Sequence, residues 1–298
     1  MSLINRIIIG TWSLSGDFGK IPNQEVENIL YHTIKSGFIE FDTAPNYGAG
    51  EIDNILSKVI SNSNQKIKIN TKCGNSPNGI KSFKIEDMIK TVEHSLKLFG
   101  SINILFLHNP REEIVEWPKI INFLNDLKSQ NLIKSTGISL ARNYYFDDNL
   151  LNQFDFIQDE INLLNFISLE KLKKIKSKII ARSPLASGVL SGNLNEHRVF
   201  EKNDYRSSWL KGERLKNILY QVKNFERVSN MKLADLAKSF IFSQSNVDKV
   251  IFGIKSKTHI DQLVTDIENI PFIKKDTLES IIELSKINYG LDFQKKGY

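Results

Sequence analysis

The chain carries one cysteine, Cys73, in 298 residues, so it forms no intramolecular disulfide and is not a disulfide-stapled secreted scaffold. A reducing, cytoplasmic setting is the expectation, with Cys73 as a small packing residue. No apolar run approaches the roughly 18 residues that a membrane span needs. The opening Met1-Ser2-Leu3-Ile4-Asn5-Arg6 lacks the basic, apolar, then small-residue order of a secretion signal. Arginine-rich stretches interleaved with aromatics are absent as well. The net charge of +6 comes mostly from lysines spaced singly, such as Lys84, Lys90, Lys97, Lys119 and Lys128. That distribution describes a solvated surface rather than a nucleic-acid face, while leaving room for phosphate-bearing small molecules. Neither G-x-G-x-x-G nor a P-loop occurs, so a nucleotide would have to bind by another route. No low-complexity linker or break in composition divides the chain, which reads as a single domain over residues 1–298.

What is present is a repeated unit: a short apolar run, a polar or glycine-rich turn, then an amphipathic helical stretch. The apolar runs predict strands at Arg6 to Trp12, Gly37 to Asp42, Ile67 to Lys72, Ile102 to His108, Ile133 to Ser139, Phe154 to Glu160, Lys178 to Ser183 and Lys249 to Gly253. They are rich in Ile and Phe and do not alternate with polar residues, as expected of parallel strands covered on both faces. Between them, Val26, Ile29, Leu30 and Ile34 form a helical stripe, with Asn23 as the expected N-cap and Gly37 as the stop. Ile85, Ile89, Val92, Leu96 and Phe99 form a second stripe that ends at Gly100, and Ile120, Phe123, Leu124 and Leu127 a third. Eight such units in about 250 residues fit an α/β fold of the (β/α)8 TIM-barrel type better than an open doubly wound sheet. Residues Thr277 to Tyr289 read as an extra C-terminal helix. Leu190 to Lys211, with Asn193, Asn195, Asn203 and Trp209, is the longest irregular stretch and a candidate substrate lid.

In a barrel, chemistry sits where strands end. The second predicted strand runs into Asp42 and then Tyr47, the third ends at Lys72 and the fourth at His108. A phenol with a reference pKa of about 10 exchanges protons poorly near neutrality, and an adjacent ammonium favours the phenolate. Lys72 is therefore expected to lower the Tyr47 pKa, Asp42 to keep Lys72 charged and oriented, and His108 to hydrogen-bond a substrate oxygen.

The ordered motifs Asp42-Thr43-Ala44-Pro45-Asn46-Tyr47-Gly48 with Glu51, Thr71-Lys72, Leu107-His108-Asn109-Pro110, Gly137-Ile138-Ser139, Ser183-Pro184-Leu185-Ala186-Ser187-Gly188 with Leu190, and Gly253 before Lys255-Ser256 resemble the aldo/keto reductase superfamily over about residues 6 to 267. The resemblance implies reversible NAD(P)H-dependent reduction of an aldehyde or ketone without a metal. In that scheme Tyr47 is the general acid and base, Lys72 and Asp42 tune it, and His108 orients the substrate. It also implies cofactor contacts at Thr11, Trp12, Asp42, Ser139, Gln158, Arg182, Ser183, Leu185 and Gly188, and an adenosine-phosphate site at Gly253, Lys255, Ser256, His259 and Gln262.

Three departures qualify the match. Arg182 stands where members often place an aromatic under the nicotinamide, Leu140 where many have Asn, and His259 where an Arg often grips the 2′-phosphate. Lys255, Ser256 and Lys257 keep NADP(H) ahead of NAD(H), and the Arg182 charge suggests an acidic or phosphorylated carbonyl, with sugars equally allowed. Two other readings stand beside the reductase: a non-catalytic, cofactor-binding auxiliary subunit of the same fold, and a non-redox barrel lyase or glycosidase working through Asp42, Glu51 and Glu160.

Overall fold

The computed structural model describes residues 3–111, 116–141 and 144–286. Eight parallel strands, β1 (Ile7–Gly10), β2 (Glu40–Asp42), β3 (Lys68–Cys73), β4 (Ile102–His108), β5 (Ile133–Ser139), β6 (Phe156–Glu160), β7 (Lys178–Arg182) and β8 (Val247–Gly253), close into a barrel in sequence order. The helices are α1 (Asn23–Lys35), α2 (Glu51–Ser61), α3 (Ile85–Phe99), α4 (Trp117–Ser129), the short α5 (Asp148–Leu151) and α6 (Ile167–Lys171), then α7 (Gly212–Ser229), α8 (Leu233–Ser243), α9 (Lys257–Glu268) and α10 (Lys275–Lys286). This is the expected (β/α)8 architecture, and α10 is the extra C-terminal helix, packed on α7. Residues 287–289 of its expected span lie outside the described residues. Among the described residues no helix is long and apolar enough to cross a membrane.

The stripes of α1 and α4 face the barrel, with Val26, Ile29, Leu30 and Ile34, and Ile120, Leu124 and Leu127, buried; on α3 the buried face is instead Met88, Thr91, Val92 and Ser95, and Ile89 of the expected stripe is exposed. Burying each such apolar side chain stabilises by about 1.5–3 kcal/mol. Helix starts differ from the sequence reading at α10, which begins at Lys275 rather than Thr277, and at α1. Pro22, with φ −59°, holds the N-cap of α1, and Asn23 is the first helical residue. Its side-chain amide donates to Glu51 Oε1 at the head of α2 rather than to its own helix. A proline there has no N–H to leave unsatisfied and its fixed φ suits the entry. Gly37, at φ +91°, makes the turn after Ser36 that no side-chained residue would make freely.

The barrel lumen is filled by Ile8, Ile104, Phe106, Ile180 and Ile251. Phe106 extends over β5 at Gly137, where an added Cβ would lie 2.4 Å from the ring. The plug closes the middle of the barrel, so the polar residues above it face a cleft and not a channel. The strands are staggered as a barrel requires: Asp42 pairs with Asn70, Lys72 with Phe106, and His108 with Ser139. Each of these inward positions is two residues beyond the inward position its predecessor pairs with, so the ends of β2, β3 and β4 bring their last inward side chains to one level.

Gly137→Ala is expected to destabilise the protein by about 1–3 kcal/mol, the usual cost of overpacking a core. Urea unfolding checks this, and Gly137→Ala combined with Phe106→Leu is expected to recover part of the loss.

Candidate active site

The turn after β2 places the first group. Pro45 and Asn46 lead into Tyr47, and Gly48, Ala49 and Gly50 then all lie in the left-handed region, with φ of 57°, 54° and 91°. This run reverses the chain into α2 and leaves the Tyr47 ring in the cleft. Ala49 accepts a conformation that costs a side-chained residue energy, a common mark of functional loops.

The cleft at the C-terminal ends of the strands has a volume of about 1600 Å³, larger than a typical small-ligand pocket and long enough for a dinucleotide with a small substrate. Asp42, Tyr47, Lys72 and His108 all line it. Lys72 Nζ donates to Asp42 Oδ1 at 2.6 Å, to the Thr43 carbonyl at 2.8 Å and lies 3.2 Å from the Tyr47 hydroxyl. Asp42 Oδ2 accepts from Gln158 Nε2 at 2.8 Å, and Gln158 Oε1 accepts from Ser139 Oγ at 2.8 Å. The His108 ring stands edge-on to Tyr47 with centroids 6.2 Å apart, and its Nδ1 is buried without a protein partner.

These neighbours set the protonation states. Burial alone would discharge Lys72, but the Asp42 carboxylate and Tyr47 outweigh it and raise its pKa, so it is an ammonium. Burial pushes the Tyr47 phenol up, and the Lys72 ammonium pulls it down only in part; the net shift is upward. This corrects the expectation that Lys72 brings the phenol below its ordinary value: desolvation of a phenolate, with Asp42 nearby, outweighs one ammonium. Burial, Lys72 and Arg182 hold His108 well below the usual imidazole range, so it is neutral and can both donate and accept.

The other expected cofactor contacts divide. Trp12, Ser139, Gln158, Arg182, Ser183, Leu185, Gly188, Gly253, Lys255, His259 and Gln262 line the same cleft. Thr11 and Ser256 do not. Thr11 is fully buried, donating to the Asp42 carbonyl and the Thr43 hydroxyl, and Ser256 caps α9 by accepting from His259 N. Arg182 does not offer a bare charge. Its Nη2 donates to the Leu140 carbonyl at 3.1 Å and its Nη1 lies 3.5 Å from Glu160 Oε2.

After β7, Ser183, Ala186, Ser187 and Gly188 all have positive φ. Such a turn can direct backbone N–H groups at an anion. Lys255 and Arg206 stand beside it, Arg206 donating to Ser187 O at 3.4 Å. The cationic, elongated donor set fits a dinucleotide phosphate. Arg206 escaped the sequence reading, although it lies in the stretch from Leu190 to Lys211 marked there. In that stretch Asn193 and Trp209 line the cleft while Asn195 and Asn203 are exposed. Its outer part crosses to the loop after β1: Tyr205 N donates to the Asp17 carbonyl at 2.6 Å, and Tyr205 packs edge-on against Trp12 and Phe18. Arg206 is clamped by Asp204 through two contacts of 2.9 and 2.7 Å. The signal was an Asp-x-Arg spacing within a loop, too generic to single out.

The chain belongs to the aldo/keto reductase family, whose model matches residues 6–284. Among characterised relatives, it is 23% identical over 279 residues to the aldo-keto reductase YhdN of Bacillus subtilis, covering 87% of this chain and 84% of the relative. It is 24% identical over 307 residues to a probable voltage-gated potassium channel subunit beta of Arabidopsis thaliana, covering 93% and 92%. Among solved structures, the glycerol dehydrogenase AKR11B4 of Gluconobacter oxydans superposes with a TM-score of 0.78 at 19% identity, covering 94% of this chain and 90% of that one, which is a likeness of fold.

The neutral His108 ring has a consequence for stability. In the unfolded chain it takes a proton at about 6.5, and in the folded protein only well below that. Its contribution is therefore complete above about 6.5 and is lost as the pH falls below it. Imidazole nitrogen shifts in NMR are expected to report a neutral His108 through that range, and His108→Gln to flatten the acid side of the stability profile.

Proposed function

We propose that this chain, acting as one barrel domain, reversibly reduces an aldehyde or ketone to the alcohol with a nicotinamide cofactor, Tyr47 serving as general acid and base. The observation that carries the reading is the Lys72 ammonium held between Asp42 and the Tyr47 hydroxyl, beside a neutral His108. The dihydronicotinamide, when bound, supplies the hydride. The protein's own groups manage the proton. The upward shift of Tyr47 keeps the phenol protonated near neutral pH, ready to donate to a carbonyl oxygen as it gains charge. Lys72 then stabilises the phenolate that remains, and Asp42 keeps that ammonium from losing its own proton to the buried surroundings. His108 can donate to the same oxygen through one ring nitrogen and set its direction.

Ser139 and Gln158 are placed to hold the carboxamide, exchanging part of their bond to each other for bonds to it. Lys255, Arg206 and the left-handed turn at residues 183–188 would hold the phosphates. Lys255 and Lys257, flanking the Ser256-capped start of α9, support NADP(H) over NAD(H). The substrate is a small carbonyl compound, a sugar or an acid. Arg182, offset by Glu160, gives the acid less support than its bare charge suggested. The stretch from Leu190 to Lys211 acts as a lid over this site. A single buried cysteine fits a cytoplasmic enzyme.

One observation favours a second reading, the similarity to a channel β subunit, under which the barrel binds cofactor as an auxiliary protein. Dihydronicotinamide oxidation against sugars, keto acids and simple aldehydes separates the two. The reductase reading predicts turnover, with Tyr47→Phe lowering kcat roughly 10²- to 10⁴-fold while cofactor affinity stays unchanged. Cofactor binding with no turnover across the panel, or Tyr47→Phe retaining full activity, contradicts it.

A further inference from the structure

Beneath the catalytic cluster lies a second carboxyl group that the mechanism above does not use. Asp53, in the first turn of α2, is fully buried and lies outside the cleft lining. Its Oδ1 accepts from Thr43 Oγ1 at 2.5 Å, and its Oδ2 has no protein partner. Thr43 is equally buried, its hydroxyl also receiving a bond from Thr11 Oγ1 at 3.0 Å. The same Thr43 presents its carbonyl to Lys72 Nζ at 2.8 Å. A chain of contacts therefore runs from Asp53 through the hydroxyl and the carbonyl of Thr43 to the ammonium under Tyr47.

We propose that Asp53 is a positioning residue of the Tyr47–Lys72 pair: acting through Thr43, its carboxylate holds the Lys72 ammonium beneath the phenol and adds a second negative charge that keeps it protonated. This rests on the reading of Tyr47 as the acid and base. The energetics argue for function and against a purely structural role. Burial pushes the Asp53 carboxyl up to about 6, the Thr43 hydroxyl and Lys72 pulling it back only in part. The charged groups acting on it come from three elements, Lys72 on β3, Asp42 on β2 and His94 on α3. A group whose folded pKa is raised stabilises the fold below its unfolded value, and that contribution is lost as the pH rises through about 6. Near neutral pH the ionised Asp53 therefore works against folding. An asparagine would accept the Thr43 hydroxyl in the same way with no charge to bury, so comparing the two isolates what the charge does.

The test compares wild type with Asp53→Asn, which keeps size and an acceptor but cannot ionise. Asp53→Asn is expected to melt at a higher temperature at neutral pH, to bind NADPH unchanged, and to lower kcat about tenfold. In wild type kcat is expected to fall as the pH drops through about 6; in Asp53→Asn the profile is expected to be flat there. His94→Gln leaves that step in place. Thr43→Val breaks the link from Asp53 to the Thr43 segment and is expected to flatten the step as Asp53→Asn does. Without any substrate, the phenolate absorbance of wild type minus that of Tyr47→Phe titrates Tyr47 alone, and in Asp53→Asn this titration shifts to higher pH because a Lys72 ammonium held less firmly beneath the phenol does less to favour the phenolate. A melting temperature lowered by Asp53→Asn, up to failure to fold, overturns the proposal and makes Asp53 structural. Superposing pH profiles with an unmoved phenolate titration overturn it too, and leave the Tyr47 reading intact as long as Tyr47→Phe abolishes turnover.

Discussion

The site depends on one buried ion pair. Lys72 and Asp42 are both almost wholly removed from water, 2.6 Å apart. An isolated ammonium in that position would lose its proton. The Asp42 carboxylate keeps Lys72 charged, and Gln158 and Thr43 take up the hydrogen-bonding capacity that the pair leaves over. Such pairs add little to stability compared with apolar side chains of the same size. What this one provides is a fixed positive charge 3.2 Å from a phenolic oxygen in a place where water cannot screen it.

The barrel makes that placement possible. The lumen plug of Ile8, Ile104, Phe106, Ile180 and Ile251 closes the space below. Gly137 lets the Phe106 ring fill its share. The stagger of β2, β3 and β4 then raises Asp42, Lys72 and His108 to a common level. The turn through Gly48, Ala49 and Gly50 brings Tyr47 above them from a loop, so the phenol is the one member of the group not fixed on a strand. Asp53 supports this arrangement from behind. Its link to Thr43 ties the start of α2 to the loop that follows β2, the segment whose geometry decides where both Lys72 and Tyr47 sit.

Much of this was legible in the sequence. The eight apolar runs located every strand, with ends moved by a few residues at Arg6 to Trp12 and Gly37 to Asp42, where pairing stops before the apolar character does. Lys and His at the ends of such runs were informative because packing does not explain them. Three features were not legible. The direction of the Tyr47 shift depends on how completely the phenol is dried, which no spacing reveals. The pairing of Arg182 with Glu160 joins neighbouring strands. Asp53 carries no signal in the sequence beyond that of an acid in the first turn of a helix; its burial follows from the reversal at Gly48 to Gly50, which turns that face of α2 toward β2.

The central claim is that the Lys72 charge drives proton transfer at Tyr47, and single-turnover hydride transfer in Lys72→Met measures it most directly. The account predicts that the variant still binds NADPH while the rate of the chemical step falls roughly 10²- to 10⁴-fold. A variant that binds cofactor and transfers hydride at the wild-type rate would contradict it.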